Sequence, residues 1–277
     1  MNRNKFRFIT ATIVGIIIAI SMFTPQIATD VVNNDKNTTS TVEEQTNITT
    51  DEQTDTTTSN TNENQNNSVS DLYIPSQWNE DESPNFYKIE GKANIFVSDL
   101  APSEIRYTYD KHARTQSVHA LLTYENIEYG QRERESISDI EPIGWPYNNG
   151  RESVTFRDGK TYNGWFWNRS HLLGHAIGGA DEEKNLITGT RAQNVGKNDM
   201  HGGMQFTETL VRDYFEANKN GSVYYLVTPV YEENENIPRS VFVDIKSKDE
   251  SIDMHVEIFN VMPNCEINYK DGTWEKQ

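Results

Sequence analysis

Between Asp30 and about Ser70 the chain is a run of Thr, Asn, Gln, Glu and Ser with almost no large apolar side chain after Val32. Such a stretch cannot bury enough surface to offset its ordering entropy, so residues 30–70 are expected to be a disordered tether. Any core must therefore come from residues 71–277, enough for one sizeable domain. Ahead of the tether, Arg3, Lys5 and Arg7 precede a mostly apolar run from Phe8 to Phe23 and then Thr24-Pro25. This has the order of an export signal over residues 1–29. The run is short for a membrane span, yet no clean small-x-small cleavage site follows, since Gln26 stands two places before Ala28. A cleaved signal and a secreted product is the first reading; a retained N-terminal membrane anchor is the second.

A single cysteine, Cys265, excludes an internal disulfide framework and a cysteine-rich structural zinc site; it reads as a half-buried strand residue. The formal charge of −17 argues against a polyanionic partner. That charge is unevenly spread, because Arg132 to Arg212 holds ten Lys and Arg against eleven Asp and Glu. A metal ion meeting phosphate directly would add positive charge that no residue count records.

Strand-like runs are expected at Ala93 to Val97 and Ser117 to Tyr124. Val154 to Arg157 and Thr161 to Trp167 flank Asp158-Gly159 and read as a hairpin. Met204 to Ala217 places Met204, Leu210, Val211, Tyr214 and Phe215 on one helical face, with Asn220-Gly221 as its stop. Strands follow at Ser222 to Val230, Val241 to Ile245 and Met254 to Val261. Strands on both sides of one well-defined helix argue for an α+β domain.

Reactive residues concentrate in Asn168-Arg169-Ser170-His171-Leu172-Leu173-Gly174-His175 and in Lys184 to Asn194, which reads Lys-Asn-Leu-Ile-Thr-Gly-Thr-Arg-Ala-Gln-Asn. At these residues the chain resembles the DNA/RNA non-specific endonucleases of Gram-positive bacteria, within the ββα-metal, or His-Me finger, nucleases. The usual Asp-Arg-Gly-His signature stands here as Asn168-Arg169-Ser170-His171, with Asp replaced by Asn and Gly by Ser. The similarity also takes in Arg132 to Glu135, Gly144-Trp145 and Glu208, and spans about Thr115 to Pro229.

The resemblance implies an antiparallel or mixed sheet carrying a ββα-metal finger, in which the Thr161 to Trp167 strand delivers His171. It implies hydrolysis of phosphodiesters in DNA and, with it, RNA, leaving 5′-phosphates. His171 would be the general base and Asn194 the ligand of Mg²⁺, with Mn²⁺ as a substitute. Glu208 would hold a water beside the ion. Arg169 and Arg191 are candidate phosphate contacts, and Asn185 is either a further substrate contact or a brace for its own loop. The chemistry suits these residue types. A neutral histidine with an ordinary pKa of about 6.5 accepts a proton near neutral pH. Mg²⁺ keeps several waters, so one amide oxygen plus phosphate oxygens can hold it.

Two other readings compete. A surface-tethered binding protein with the same fold but no turnover would explain the acidic charge and the altered Asp and Gly. A zinc hydrolase would use His171 and His175, although Gly174, Gly178 and Gly179 break the helix such a pair needs. Trp165 and Trp167 read as core residues in preference to base-stacking ones, and Asp181-Glu182-Glu183 as solvated loop charges.

Overall fold

Residues 73–95, 99–132, 134–197, 199 and 201–277 are described by a computed structural model; the expected leader (1–29) and tether (30–70) lie outside the described residues. The chain forms β1 (Tyr87–Gly91), β2 (Ile105–Tyr109), β3 (Thr115–Leu122), α1 (Tyr124–Gly130), β4 (Arg151–Thr155), β5 (Thr161–Trp165), β6 (Trp167–His171), β7 (Leu186–Thr190), α2 (Arg191–Val195), α3 (Met204–Ala217), β8 (Val223–Val230), β9 (Ser240–Ser247), β10 (Asp253–Phe259), β11 (Cys265–Ile267) and β12 (Trp274–Lys276).

Six strands make one antiparallel sheet in the order β1-β10-β9-β8-β3-β2. Side chains alternate across it, so Val241, Val243 and Ile245 of β9 point to one face and Phe242 and Asp244 to the other. The first face meets α3, whose buried Met204, Thr207, Val211, Tyr214 and Phe215 follow helical spacing. Fully burying each large apolar side chain there contributes about 1.5–3 kcal/mol. On the second face the hydroxyl of Tyr73 donates to Asp244 (2.9 Å), which also meets His255 Nδ1 (2.7 Å). Glu257 accepts from the Ser76 backbone (2.9 Å) and the Ser240 hydroxyl (2.6 Å). Two buried carboxylates thus fasten residues 73–76 to the sheet.

The expected α3 boundaries coincide with the observed helix, and β8 to β10 occupy the three expected strand regions. Of the expected Ala93 to Val97 strand, Phe96 and Val97 lie outside the described residues; residues 93–95 are not in a strand, and the amides of Ala93 and Asn94 are taken by the side chains of Asp253 and Asp244, while the first observed strand is Tyr87–Gly91. The Ser117 to Tyr124 run ends early, at Leu122, where Asn126 Oδ1 accepts from the Thr123 amide (2.9 Å) and α1 begins. Cys265 is half-buried in β11, as its surroundings in the sequence suggest.

A second apolar cluster joins Phe86, Val154, Phe156, Phe166, Trp167 and Met262. It carries the β4-β5 hairpin and the paired strands β6 and β7.

Candidate active site

β6 and β7 pair antiparallel, with His171 opposite Leu186 and Asn168 opposite Gly189, and α2 follows at once. This is the expected strand, strand, helix unit, but the strand that delivers His171 is Trp167–His171, not Thr161–Trp167. The backbone changes partners at Phe166, whose amide donates to Gly150 (3.0 Å) and whose carbonyl accepts from Arg191 (3.0 Å). Phe166 and Trp167 are both buried, so the alternation breaks there and Trp165 turns outward, 51% exposed. The core reading thus holds for Trp167, which donates to Gly272 (2.8 Å), and fails for Trp165.

Thr190 turns the chain from β7 into α2 by accepting from the Gln193 amide (3.0 Å). A Cβ on Gly189 would strike the Gln193 side chain and reach 2.7 Å from Ser170 Cβ, so the Leu-Ile-Thr-Gly-Thr run needs glycine for α2 to fold back on β6. Asn194 is thereby laid against the first strand. Ser170 Oγ donates to its Oδ1 (3.3 Å), and its Nδ2 donates to Asn168 Oδ1 (3.4 Å). The two positions that depart from the family signature are therefore the two that hold Asn194. Asn168 Oδ1 also accepts from Arg191 (3.3 Å).

His171 is 7% exposed at the end of β6. Its Nε2 lies 2.8 Å from Asp181 Oδ1. An ionised carboxylate only accepts, so Nε2 carries the proton and Nδ1 is the basic nitrogen. Arg134 reaches over it, its guanidinium 3.3 Å from Nδ1 and 3.2 Å from Asp181. The expected near-ordinary pKa is not met: burial first, then Arg134, press His171 down to about 4, and Asp181 opposes them. The imidazole is neutral well below neutral pH.

Asp181 overturns its reading as a solvated charge. Its side chain is 4% exposed, and it accepts from His171, Arg134 and the Glu135 amide (3.0 Å). His175 Nδ1 is 3.1 Å from its other oxygen, at ion-pair distance but without hydrogen-bond alignment. Its carboxyl is held below the ordinary range by His171, His175 and Arg134, against the burial that raises it. In an acidic loop triplet nothing local marks the first residue as the inward one. The Gly178-Gly179 turn that swings it under His171 is the signal that was available.

Glu208 sits one turn into α3. Gly203 begins that helix at φ 56°, and a Cβ there would collide with the Ala192 and Gln193 carbonyls, so α3 starts hard against α2. The Glu208 carboxylate rests on Gly174, where any Cβ would overlap it. The residue is partly covered overall, but its carboxylate is enclosed, and burial raises it to about 7 against the pull of Arg212 and Arg134.

Arg169 lies over the Trp145 ring (4.2 Å) with its Nε on the Ile140 carbonyl, and Arg191 lies over Tyr162 (5.3 Å). Asn185 is fully buried. It accepts from the Leu173 amide (3.0 Å) and donates to the Leu173 (2.8 Å) and Ala180 (2.9 Å) carbonyls, so it braces its own loop. Among the described residues no group of three or more His, Cys, Asp or Glu side chains is placed to hold a metal ion. His201 is exposed in the loop before α3.

A family model described as DNA/RNA non-specific endonuclease matches residues 96–249. A deoxyribonuclease of Streptococcus dysgalactiae subsp. equisimilis is 30% identical over 215 residues, covering 67% of this chain. The chain spans 64% of that relative's length. Among solved structures, Sda1 nuclease with bound zinc superposes at a TM-score of 0.66 with 31% identity, covering 73% of this chain and all of that one. NucA from Streptococcus agalactiae with magnesium bound shares the fold at a TM-score of 0.54 and 20% identity, covering 67% of this chain and 85% of its own.

Proposed function

We propose that this chain, which belongs to the DNA/RNA non-specific endonuclease family, is an exported, Mg²⁺-dependent enzyme that hydrolyses phosphodiester bonds of DNA and RNA. The observation that carries the reading is one strand, strand, helix unit that bears both a neutral, Asp181-bound His171 at the end of β6 and, in α2, an Asn194 amide fixed by Asn168 and Ser170. The basic Nδ1 of His171 takes the proton of the attacking water, and Asp181 keeps Nε2 protonated and steadies the imidazolium that forms. Arg134, 49% exposed, covers Nδ1 in the free protein. Engaging a phosphate oxygen would draw its guanidinium aside and admit water to that nitrogen.

The donor set fits a hard divalent cation. Among the described residues Asn194 Oδ1 accepts one long bond, leaving lone-pair capacity, and a single neutral amide suits an ion that keeps water and phosphate oxygens as its other ligands. When bound, such an ion supplies Lewis-acid stabilisation of the phosphate and the departing oxygen. Glu208, once ionised, offers an acceptor beside Gly174 that orients a water at the site. Arg169 and Arg191 lie on the other side of Asn194 as phosphate contacts. The relatives whose structures carry zinc or magnesium support the choice of a divalent ion. The basic and apolar leader supports export, with cleavage or retention of residues 1–29 as its two outcomes.

Plasmid digestion with Mg²⁺ and with EDTA tests the proposal. Degradation that requires the metal and falls at least a hundredfold in Asn194→Ala supports it. No degradation by the intact protein at any Mg²⁺ or Mn²⁺ concentration overturns it in favour of a binding protein with the same fold.

A further inference from the structure

Beside Asn194, on the side away from His171, lies an open cleft of about 720 Å³ walled by Trp145, Tyr147, Tyr162 and Trp165 and bordered by Arg169 and Arg191. A single nucleotide fits such a volume. Two of the aromatic rings are exposed, Tyr147 at 100% and Trp165 at 51%. Each of the other two carries a guanidinium on its face, Arg169 over Trp145 and Arg191 over Tyr162. A third arginine, Arg151, lies 5.4 Å over Trp165. In a chain of net charge −17, the two arginines that border the cleft beside the proposed metal ligand, each on an aromatic ring, make it locally cationic and aromatic at once. That combination matches a phosphate joined to a base.

Stacking needs a free base face. In a duplex each base is covered above and below by its neighbours, so an aromatic shelf gains nothing from it unless the base is first unstacked at a cost of a few kcal/mol. A single strand presents its faces without that cost. We propose that this cleft is a nucleobase subsite, in which an unpaired base adjoining the scissile phosphate stacks on Trp165 and Tyr147, and that the protein prefers single-stranded nucleic acid. The inference rests on the nuclease reading and adds the strandedness of its substrate. It also gives Trp165 a reason to point outward from a strand whose neighbour Phe166 is buried.

The test uses His171→Ala protein in Mg²⁺, with a fluorescent single-stranded oligothymidylate and a hairpin duplex of equal phosphate count, read by anisotropy. Adding Trp165→Ala is expected to weaken single-strand binding at least fivefold and duplex binding less than twofold. Trp165→Phe retains most of the single-strand affinity, and Tyr147→Ala shows a smaller loss of the same kind. Unchanged thermal unfolding of the variants confirms an intact fold. Equal weakening of both ligands, or single-strand affinity within twofold of the parent in the Trp165→Ala, Tyr147→Ala double variant, overturns the subsite. If the wild type cuts DNA while these variants bind normally, only the subsite falls. If the wild type neither binds nor cuts either form, the nuclease reading falls with it.

Discussion

Replacing Asp181 with asparagine removes the charge beneath His171 while keeping a side chain of the same shape. In the wild type Asp181 is the group that raises the His171 pKa against burial and Arg134, and the balance settles at about 4. A hydrogen bond between charged partners contributes about 1.5–3 kcal/mol, and about 1.4 kcal/mol corresponds to one pKa unit or one decade in rate. Loss of the charge should lower the histidine's pKa by about one unit or more and weaken its pull on the water's proton. The neutral amide can also present its NH₂ to Nε2 and favour the wrong tautomer. Asp181→Asn should therefore cut kcat/KM by about 10- to 100-fold at neutral pH and move the acid limb of the pH profile downward. Cleavage of a fluorogenic oligonucleotide at saturating Mg²⁺ from about pH 2.5 to 9 measures both. A plateau within twofold of wild type, or an acid limb shifted upward, would refute the assignment.

Gly174→Ala places a methyl group in the space of the Glu208 carboxylate, the movable end of its side chain. Activity should fall about tenfold while urea denaturation shows a loss below about 1 kcal/mol; equal damage to both would argue against a functional carboxylate there. Asn185→Ala strands the buried amide and carbonyl of Leu173 and the partly buried carbonyl of Ala180, so it should destabilise by about 3 kcal/mol, and normal stability with lost DNA binding would favour its reading as a substrate contact. The His171 pKa is depressed on folding, so the unfolded chain binds the extra proton first. Stability from this group is full above about pH 6.5 and falls as pH drops toward 4, by about 3 kcal/mol in total. His171→Gln should flatten that slope in urea titrations, and an unaltered slope would remove His171 as its source. Asn168→Asp keeps the acceptor for Asn194 and adds a charge beside it, so half-maximal activity should need less Mg²⁺; a higher requirement would contradict the proposed place of the ion.

The periodic elements were legible because one physical rule dominated each. Helical spacing from Met204 to Ala217 and the long apolar runs of β8 to β10 needed only a face to bury. The finger was legible through the motif that spaces His171 and Asn194. What the sequence hid came from contacts between distant residues. The amides of Ala93 and Asn94, after the first observed strand at Tyr87–Gly91, are captured by carboxylates more than a hundred residues away. The β5-β6 boundary at Phe166 depends on hydrogen bonds to Gly150 and Arg191, which periodicity does not encode. Asp181 looked like its solvated neighbours until the Gly178-Gly179 turn placed it under two histidines. The opposite outward turn of Trp165 escaped for the same reason, since alternation alone cannot say where a strand stops.

Chemical rescue tests the role of His171 most directly. His171→Gly should lower metal-dependent DNA cleavage by about 10²–10⁴-fold, and added imidazole should restore part of the rate with a pH dependence set by imidazole's own titration. A His171→Gly protein that cleaves at the wild-type rate, or a loss that imidazole leaves untouched at every concentration and pH, would contradict the assignment of this residue as the general base.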